Sequence, residues 1–360
     1  MPENQPITEA SVREALAEFR DPETGRGIVQ LDQVHKLTLD GQKLSVALGL
    51  TSWAAPLWEE TRAELAAVLE ERFSGIAIEV DVELHARPAE KQGDLGVPAK
   101  SVIAVGSGKG GVGKSSIAGY LAFGLARAGA KVGLMDADVY GPSIPHLLGS
   151  NARPTMVDDR IQPILIDSVK VMSMGFLVAP DDPVIWRGPM LHAAMTQFLR
   201  DTAWDDLDYL IIDMPPGTGD IPLSLSQLLP LSGAVVVCTP QDVALLDATK
   251  AVGMMRKVDI DVVGMVENMS FFLCPTCDTR HEIFGSGGAK ARAEKLGVPF
   301  LGEVPLVTDL RVHGDQGMLT AALEHPTAGP YLQALSTNLV RTLVARRRQR
   351  PQAPELPILG

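Results

Sequence analysis

The chain has only three cysteines in 360 residues, too few for a disulfide framework. Basic charge is also scarce. A net charge of −12 and a pI near 5.1 argue against nucleic acid as a partner, because phosphate backbones demand basic surface. Roughly nine of those excess negative charges fall before residue 99. No apolar run approaches the ~18–20 residues of a membrane span. The opening MPENQPITEA is polar and acidic, unlike a signal peptide. These absences lead to the expectation of a cytoplasmic protein with no membrane partner. Aromatics make up only 5% of a chain that is 46% hydrophobic, and abundant Ala, Val, Leu and Gly suit a layered α/β protein.

Residues 8–19 have helical spacing, and HKLTLDGQKLSVALGL alternates on both sides of Asp40-Gly41, a hairpin signal. A helix over 57–72 and a strand over 75–84 complete a small α/β domain at 1–87. The Pro, Gly and charges of 88–100 read as a linker. From Ser101 short apolar runs alternate with helical segments: SVIAVGS, KVGLMDAD, DYLIIDMP, AVVVCTP, DVVGMVENMS and FLGEVPL. Continuously apolar strands between helices predict a mostly parallel sheet with crossover helices over 101–346. The tail at 347–360, with Pro and clustered Arg, is expected to be disordered.

GSGKGGVGKSS, residues 106–116, follows a predicted strand and opens a predicted helix. Gly108, Gly113, Lys114 and Ser115 satisfy the P-loop pattern G-x-x-x-x-G-K-[ST]. The backbone N–H groups of Gly108, Gly110, Gly111, Val112, Gly113 and Ser116 and the helix dipole are expected to cradle phosphates. Lys114 is expected to reach the β- and γ-phosphates and Ser115 to ligate Mg²⁺. Asp213 ends YLIID as a Walker B acid does. Asp136 and Asp138 end KVGLMDAD, where strand-end aspartates also serve as turn formers.

GKGGVGKS resembles the deviant Walker A motif of the ParA/MinD and nitrogenase-iron-protein class of dimeric P-loop ATPases. That resemblance implies that Lys109 crosses to the nucleotide of a second copy in a homodimer and that Asp138 orients the attacking water. DADVYGPSIPHLLG, WRGPML, DMPPGTGDIPLSLSQ, CTPQDVALLDATK, ENMSFFLCPTC and IFGSGG are together similar to the Mrp/ApbC family of iron–sulfur carrier ATPases, from about Ser101 to Gly317. DPETG at 21–25 and the T-S-x-x-x-P-L stretch at 51–57 resemble the small domain that precedes this ATPase in bacterial members. Relatives of that domain commonly carry a cysteine where this chain has Ala55, so a thiol role is not expected there. A docking or scaffolding module is, with Asp21 and Glu23 as turn and cap residues. The resemblance implies slow ATP hydrolysis, a labile [4Fe–4S] cluster passed to apo-protein clients, a cluster donor or scaffold upstream, and contact of Asn268 with adenine.

Cys274-Pro275-Thr276-Cys277 supplies two thiols, half of a tetrahedral site. A redox pair would want the thiols at a helix N-terminus, and a single-chain zinc site would have to recruit His281. Cys238 lies in the apolar run AVVVCTP, the place of an ordinary buried thiol. An isologous dimer brings two CxxC pairs together as four thiolates. Tetrahedral sulfur suits both iron–sulfur and zinc; the resemblance favours the cluster. The alternative is a ParA/MinD-like positioning ATPase with a structural zinc.

Overall fold

The computed structural model describes residues 7–139, 141–177, 188–217, 221–274, 276–277 and 279–349. By contacts the chain divides into one unit of Met1–Ala86 with Val340–Gly360 and another of Arg87–Leu339.

In the first unit the helix Glu9–Glu18 starts at Thr8, whose hydroxyl accepts the Ser11 N–H at 3.2 Å, a capping interaction. The strands Val34–Asp40 and Lys43–Leu50 form the expected antiparallel hairpin about Gly41, which has φ +53°. Ala77–Leu84 adds to Lys43–Leu50 in parallel. Alternate residues Leu44, Val46, Leu48 and Leu50 are buried with Val12 and Leu16 of the first helix and with Leu65 and Leu69 of the helix Trp58–Arg72. The period of two on the strand and of three to four on the helices is what one shared core requires.

The second unit is built on a sheet of seven parallel strands: Phe300–Glu303, Val262–Glu267, Gly233–Cys238, Val97–Ser107, Leu207–Asp213, Val132–Asp136 and Val169–Ser173. Ile164–Ile166 pairs antiparallel at one edge. Gly233–Cys238 and Val262–Glu267 are buried at every residue, which explains their unbroken apolar runs. All seven parallel strands end on one side of the sheet, where open α/β folds collect their ligands.

Two boundaries differ from the sequence expectation. Lys91–Gln92 pairs with the strand Val97–Ser107, which begins inside the expected linker, with Val97 and Ala99 fully buried. The linker-like signals of Pro98 and Lys100 are outweighed by that apolar alternation. At the other end the helix Gly329–Gln349 runs through 346, and its residues from Val340 onward belong to the first unit. Arg341 pairs with Glu60 at 2.7 Å, and the Arg347 guanidinium lies 4.2 Å over the Trp53 ring while donating to the Glu23 carbonyl. Residues 347–349 of the expected tail are therefore helical; 350–360 lie outside the described residues.

Because Trp53 is fully buried and a cation–π contact with a hydrogen bond contributes about 1 kcal/mol, Arg347→Ala is expected to speed amide exchange over Thr51–Leu57 about fivefold. The amides of Ile103–Val105 keep their protection; unchanged exchange at 51–57 would rule this contact out as a stabiliser.

Candidate functional site

The loop between Ser107 and the helix Lys114–Arg127 sits at the C-terminal ends of the strands. Gly111 and Gly113 both have φ +79°, a region that side chains with a Cβ rarely adopt. Gly108 is constrained by space instead: a Cβ there would lie 2.2 Å from the Asp247 backbone. Loop and helix start line a cleft of about 260 Å³ that includes Lys109, Gly110, Gly111, Gly113, Lys114, Ser115, Ser116 and Asp138. Val112 is buried beneath it. Backbone N–H groups at a helix N-terminus facing a cleft form an anion site.

Strand register brings the carboxylates to that cleft. Asp213 and Asp136 are direct neighbours on adjacent parallel strands. Lys114 Nζ lies 2.6 Å from Asp213 Oδ1, 3.9 Å from Asp138 Oδ2 and 3.2 Å from Ser115 Oγ. Burial raises the Asp213 pKa, opposed by the Lys114 charge. Asp136 is pushed up to about 8 by burial and by Asp213. It accepts hydrogen bonds from the Asp138 and Ile144 N–H groups and from the Ser173 hydroxyl, so its contacts organise the loop behind Asp138. The Gly141 N–H donates to Asp138 Oδ1 at 3.3 Å. The Gly/Pro loop after Asp213 is described as far as Gly217, whose N–H donates to Ser107 O at 2.9 Å; Thr218, Gly219 and Asp220 lie outside the described residues.

Asp213 Oδ2 is buried with no hydrogen-bond partner among the described residues, so it fits the outer shell of a cation. Among the described residues no group of three or more His, Cys, Asp or Glu is arranged to hold a metal ion. A magnesium ion would therefore depend on Ser115, water and the nucleotide's own phosphates, its ordinary ligands in such sites.

Asn268 follows the strand Val262–Glu267 and is almost buried. Its Nδ2 donates to Val112 O at 2.9 Å and its Oδ1 accepts the Met269 N–H. It thus fastens the phosphate loop from behind, and a Cβ at Gly113 would meet its Nδ2 at 2.2 Å. This role was not read from the sequence. The side chain of Lys109 is half-buried, and no carboxylate pairs with it among the described residues.

The cysteine pair is outside this cleft. Phe272–Leu273 and Arg280–His281 form a short antiparallel hairpin, and Cys274 and Cys277 lie in its turn; Pro275 and Asp278 are outside the described residues. Cys274 is half-buried and Cys277 exposed. The Thr276 and Cys277 N–H groups lower the Cys274 thiol pKa, favouring the thiolate that binds metal. Cys277 Sγ lies 3.1 Å from Thr279 Oγ1. His281 is exposed opposite Phe272 and completes no three-ligand set with the thiols. Cys238 is a core thiol, its pKa pushed up to about 12 by burial and the Glu267 charge.

In the small unit Asp21 is a turn residue: its Oδ2 accepts the Thr24 N–H and hydroxyl, and its Oδ1 accepts Gln33 Nε2 at 2.9 Å. Glu23 accepts from the Thr51 hydroxyl. Sequence reasoning also missed Glu267 and Glu303, acids ending apolar strands beside the hairpin. The rule that singled out Asp213 would have found them.

Comparison with known proteins shows the family of the chain. A family profile described as the NUBPL iron-transfer P-loop NTPase matches residues 98–340, and one described as an iron–sulfur cluster assembly protein matches residues 9–82. The iron–sulfur cluster carrier protein of Deinococcus radiodurans is 44% identical over 350 residues, covering 96% of this chain and 98% of its own. That of Escherichia coli (strain K12) is 44% identical over 317 residues, covering 86% and 85%. A solved nucleotide-binding protein from Archaeoglobus fulgidus, in complex with ADP, is 41% identical with a TM-score of 0.56, covering 62% of this chain and 88% of that one. The expected fold class, a mostly parallel P-loop sheet preceded by a small α/β domain, is the one found.

The carboxylate cluster has a measurable consequence. Folded Asp136 is pushed up to about 8 from the ordinary carboxylate value of 3.8, so across that window the folded protein holds a proton that the unfolded chain releases. This contribution to stability is full at low pH and is lost as pH rises toward 8. Denaturant titrations of the nucleotide-free protein should give a decline with pH that Asp136→Asn flattens, by at most about 1.4 kcal/mol per pH unit. Equal slopes in the two proteins would contradict the assignment.

Proposed function

This chain belongs to the iron-transfer P-loop NTPases, and from that premise we propose that it is an ATP-dependent iron–sulfur cluster carrier. A labile [4Fe–4S] cluster is its cargo, bound between two copies and passed to apo-protein clients after receipt from a donor or scaffold. The observation that carries the reading is the open CxxC turn. Two accessible thiols stand on a hairpin tip with no third ligand assembled among the described residues. A second copy related by a two-fold axis supplies the other two thiolates, and four thiolates suit such a cluster. Only two bonds per subunit then have to break for release.

The nucleotide site is the proposed switch. Backbone N–H groups of Gly110 to Ser116 hold the phosphates, and Lys114 exchanges part of its contact with Asp213 for phosphate oxygens. A magnesium ion bound at Ser115 would neutralise phosphate charge, and the orphaned Asp213 Oδ2 is suited to hold one of its waters. Asp138, at the cleft edge, orients the attacking water. Lys109 reaches the partner copy's nucleotide, in keeping with its freedom from carboxylates among the described residues. Asn268 contacts adenine while fastening the loop. Hydrolysis is slow, as suits a switch. No helix among the described residues is long and apolar enough to cross a membrane. The acidic charge disfavours nucleic acid, which supports a carrier, placed here in the cytoplasm, over a positioning ATPase on DNA.

Anaerobic reconstitution with iron and sulfide tests the reading. Wild type is expected to bind about four irons per dimer, and the Cys274→Ala, Cys277→Ala double variant almost none. Iron in the double variant equal to wild type, or zinc that iron cannot displace, overturns it. Separately, Lys109→Ala is expected to lower ATP turnover at least about tenfold and to abolish ATP-dependent dimers in light scattering, with nucleotide still binding the monomer.

A further inference from the structure

Each strand of the CxxC hairpin is two residues long, and an isolated ladder of that size is not stable in water. Something outside the hairpin must hold its base. Arg280, paired opposite Leu273 and so next to Cys274, does so. Its Nη1 lies 2.9 Å from Glu303 Oε1 and its Nη2 3.1 Å from Glu303 Oε2, a two-pronged bond that fixes direction as well as distance. The same guanidinium lies 3.7 Å over the ring of buried Phe271.

The chain of contacts continues inward. Glu303 Oε2 is 3.0 Å from the Ser270 hydroxyl, which is also 2.6 Å from Glu267 Oε1. Glu267 is fully buried and its Oε2 accepts the Ala289 N–H at 2.7 Å. The next residue is Asn268, whose amide holds Val112 of the phosphate loop. Direct bonds thus run from the phosphate loop to the strand that carries the cysteine turn.

The hydrogen bonding at the middle of this chain leaves two arrangements open. A serine hydroxyl has one hydrogen, and here it faces two carboxylates, so it donates to Glu267 or to Glu303 but not to both at once. A cavity of about 340 Å³ bounded by Glu267, Glu303, Lys290 and Tyr331 leaves these side chains room to shift. A small movement at Asn268 would carry Glu267 with it through their shared peptide and so change which carboxylate the hydroxyl serves. That in turn would change the load on the Glu303–Arg280 pair.

We propose that Arg280 is a positioning residue that, through Glu303, Ser270 and Glu267, ties the lifetime of the cluster on Cys274 and Cys277 to occupancy of the nucleotide site. The proposal rests on the carrier reading above and deepens it. Its test is the rate of cluster loss to a chelator, followed by absorption, in reconstituted wild type, Ser270→Ala, Arg280→Lys and Arg280→Ala, each with and without magnesium ATP.

Wild type is expected to show different rates in the two conditions. Ser270→Ala should reconstitute as wild type does and lose that difference, because it keeps the hairpin anchor and removes only the relay. Arg280→Ala should shed cluster about tenfold faster than wild type without nucleotide, at a rate that magnesium ATP no longer changes; Arg280→Lys, with charge but no fork, should fall between in both rate and response. ATP affinity is expected to match wild type in all three, a result that a general loss of structure would not give. Wild-type loss that ignores ATP, or Ser270→Ala and Arg280 variants that respond as wild type does, overturns the proposal. Failure of the carrier reading has a separate signature, full iron in the double cysteine variant.

Discussion

Lys114 and Asp213 meet at 2.6 Å with both side chains almost wholly removed from water, and the rest of the site is arranged around that ion pair. A buried charge needs a close partner and further hydrogen bonds to be tolerated. One lysine cannot satisfy three aspartates, however. Asp136 responds by holding its proton to about pH 8, and Asp213 is left with one oxygen unbonded among the described residues. The cleft therefore has more carboxylates than Lys114 can neutralise on its floor while offering N–H groups on its rim. That imbalance suits a ligand that brings anionic phosphates and a cation together.

The cysteine turn follows a different design. Its base is fastened by the Arg280–Glu303 pair and the Phe271 ring, whereas its tip leaves Cys277 exposed. Precise placement with little enclosure is what a temporary holder of metal requires. A ligand set enclosed in one chain would bind more tightly and release more slowly. In the proposed reading, dimerisation links the two sites, since the partner copy is needed both for the second thiol pair and for the lysine that crosses the interface.

Much of this was legible locally. The glycine-rich loop declares itself because φ +79° at Gly111 and Gly113 limits the residues that fit. Asp213 declares itself because an acid ending a fully buried strand is costly without a purpose. The hairpin about Gly41 and the buried parallel strands are written in alternation and in unbroken apolar runs. Less legible were elements whose signals conflict: Val97 and Ala99 belong to a central strand although Pro98 and Lys100 interrupt them, and the arginines near 347 resemble a solvated tail although one stacks on Trp53.

The sequence by itself therefore determined the local geometry: which loop takes the glycine-rich turn before a helix, which segments are strands, which thiols stand apart from the core. These depend on backbone conformation and periodicity, properties that a short window of residues carries. Only the tertiary structure decided which distant residues share a contact. Asp136 faces Asp213 through strand register, Asn268 clasps Val112 from another strand's end, and Arg280 finds Glu303 across the edge of the sheet. Such pairings arise from strand order and side-chain packing, which no single stretch of the chain encodes.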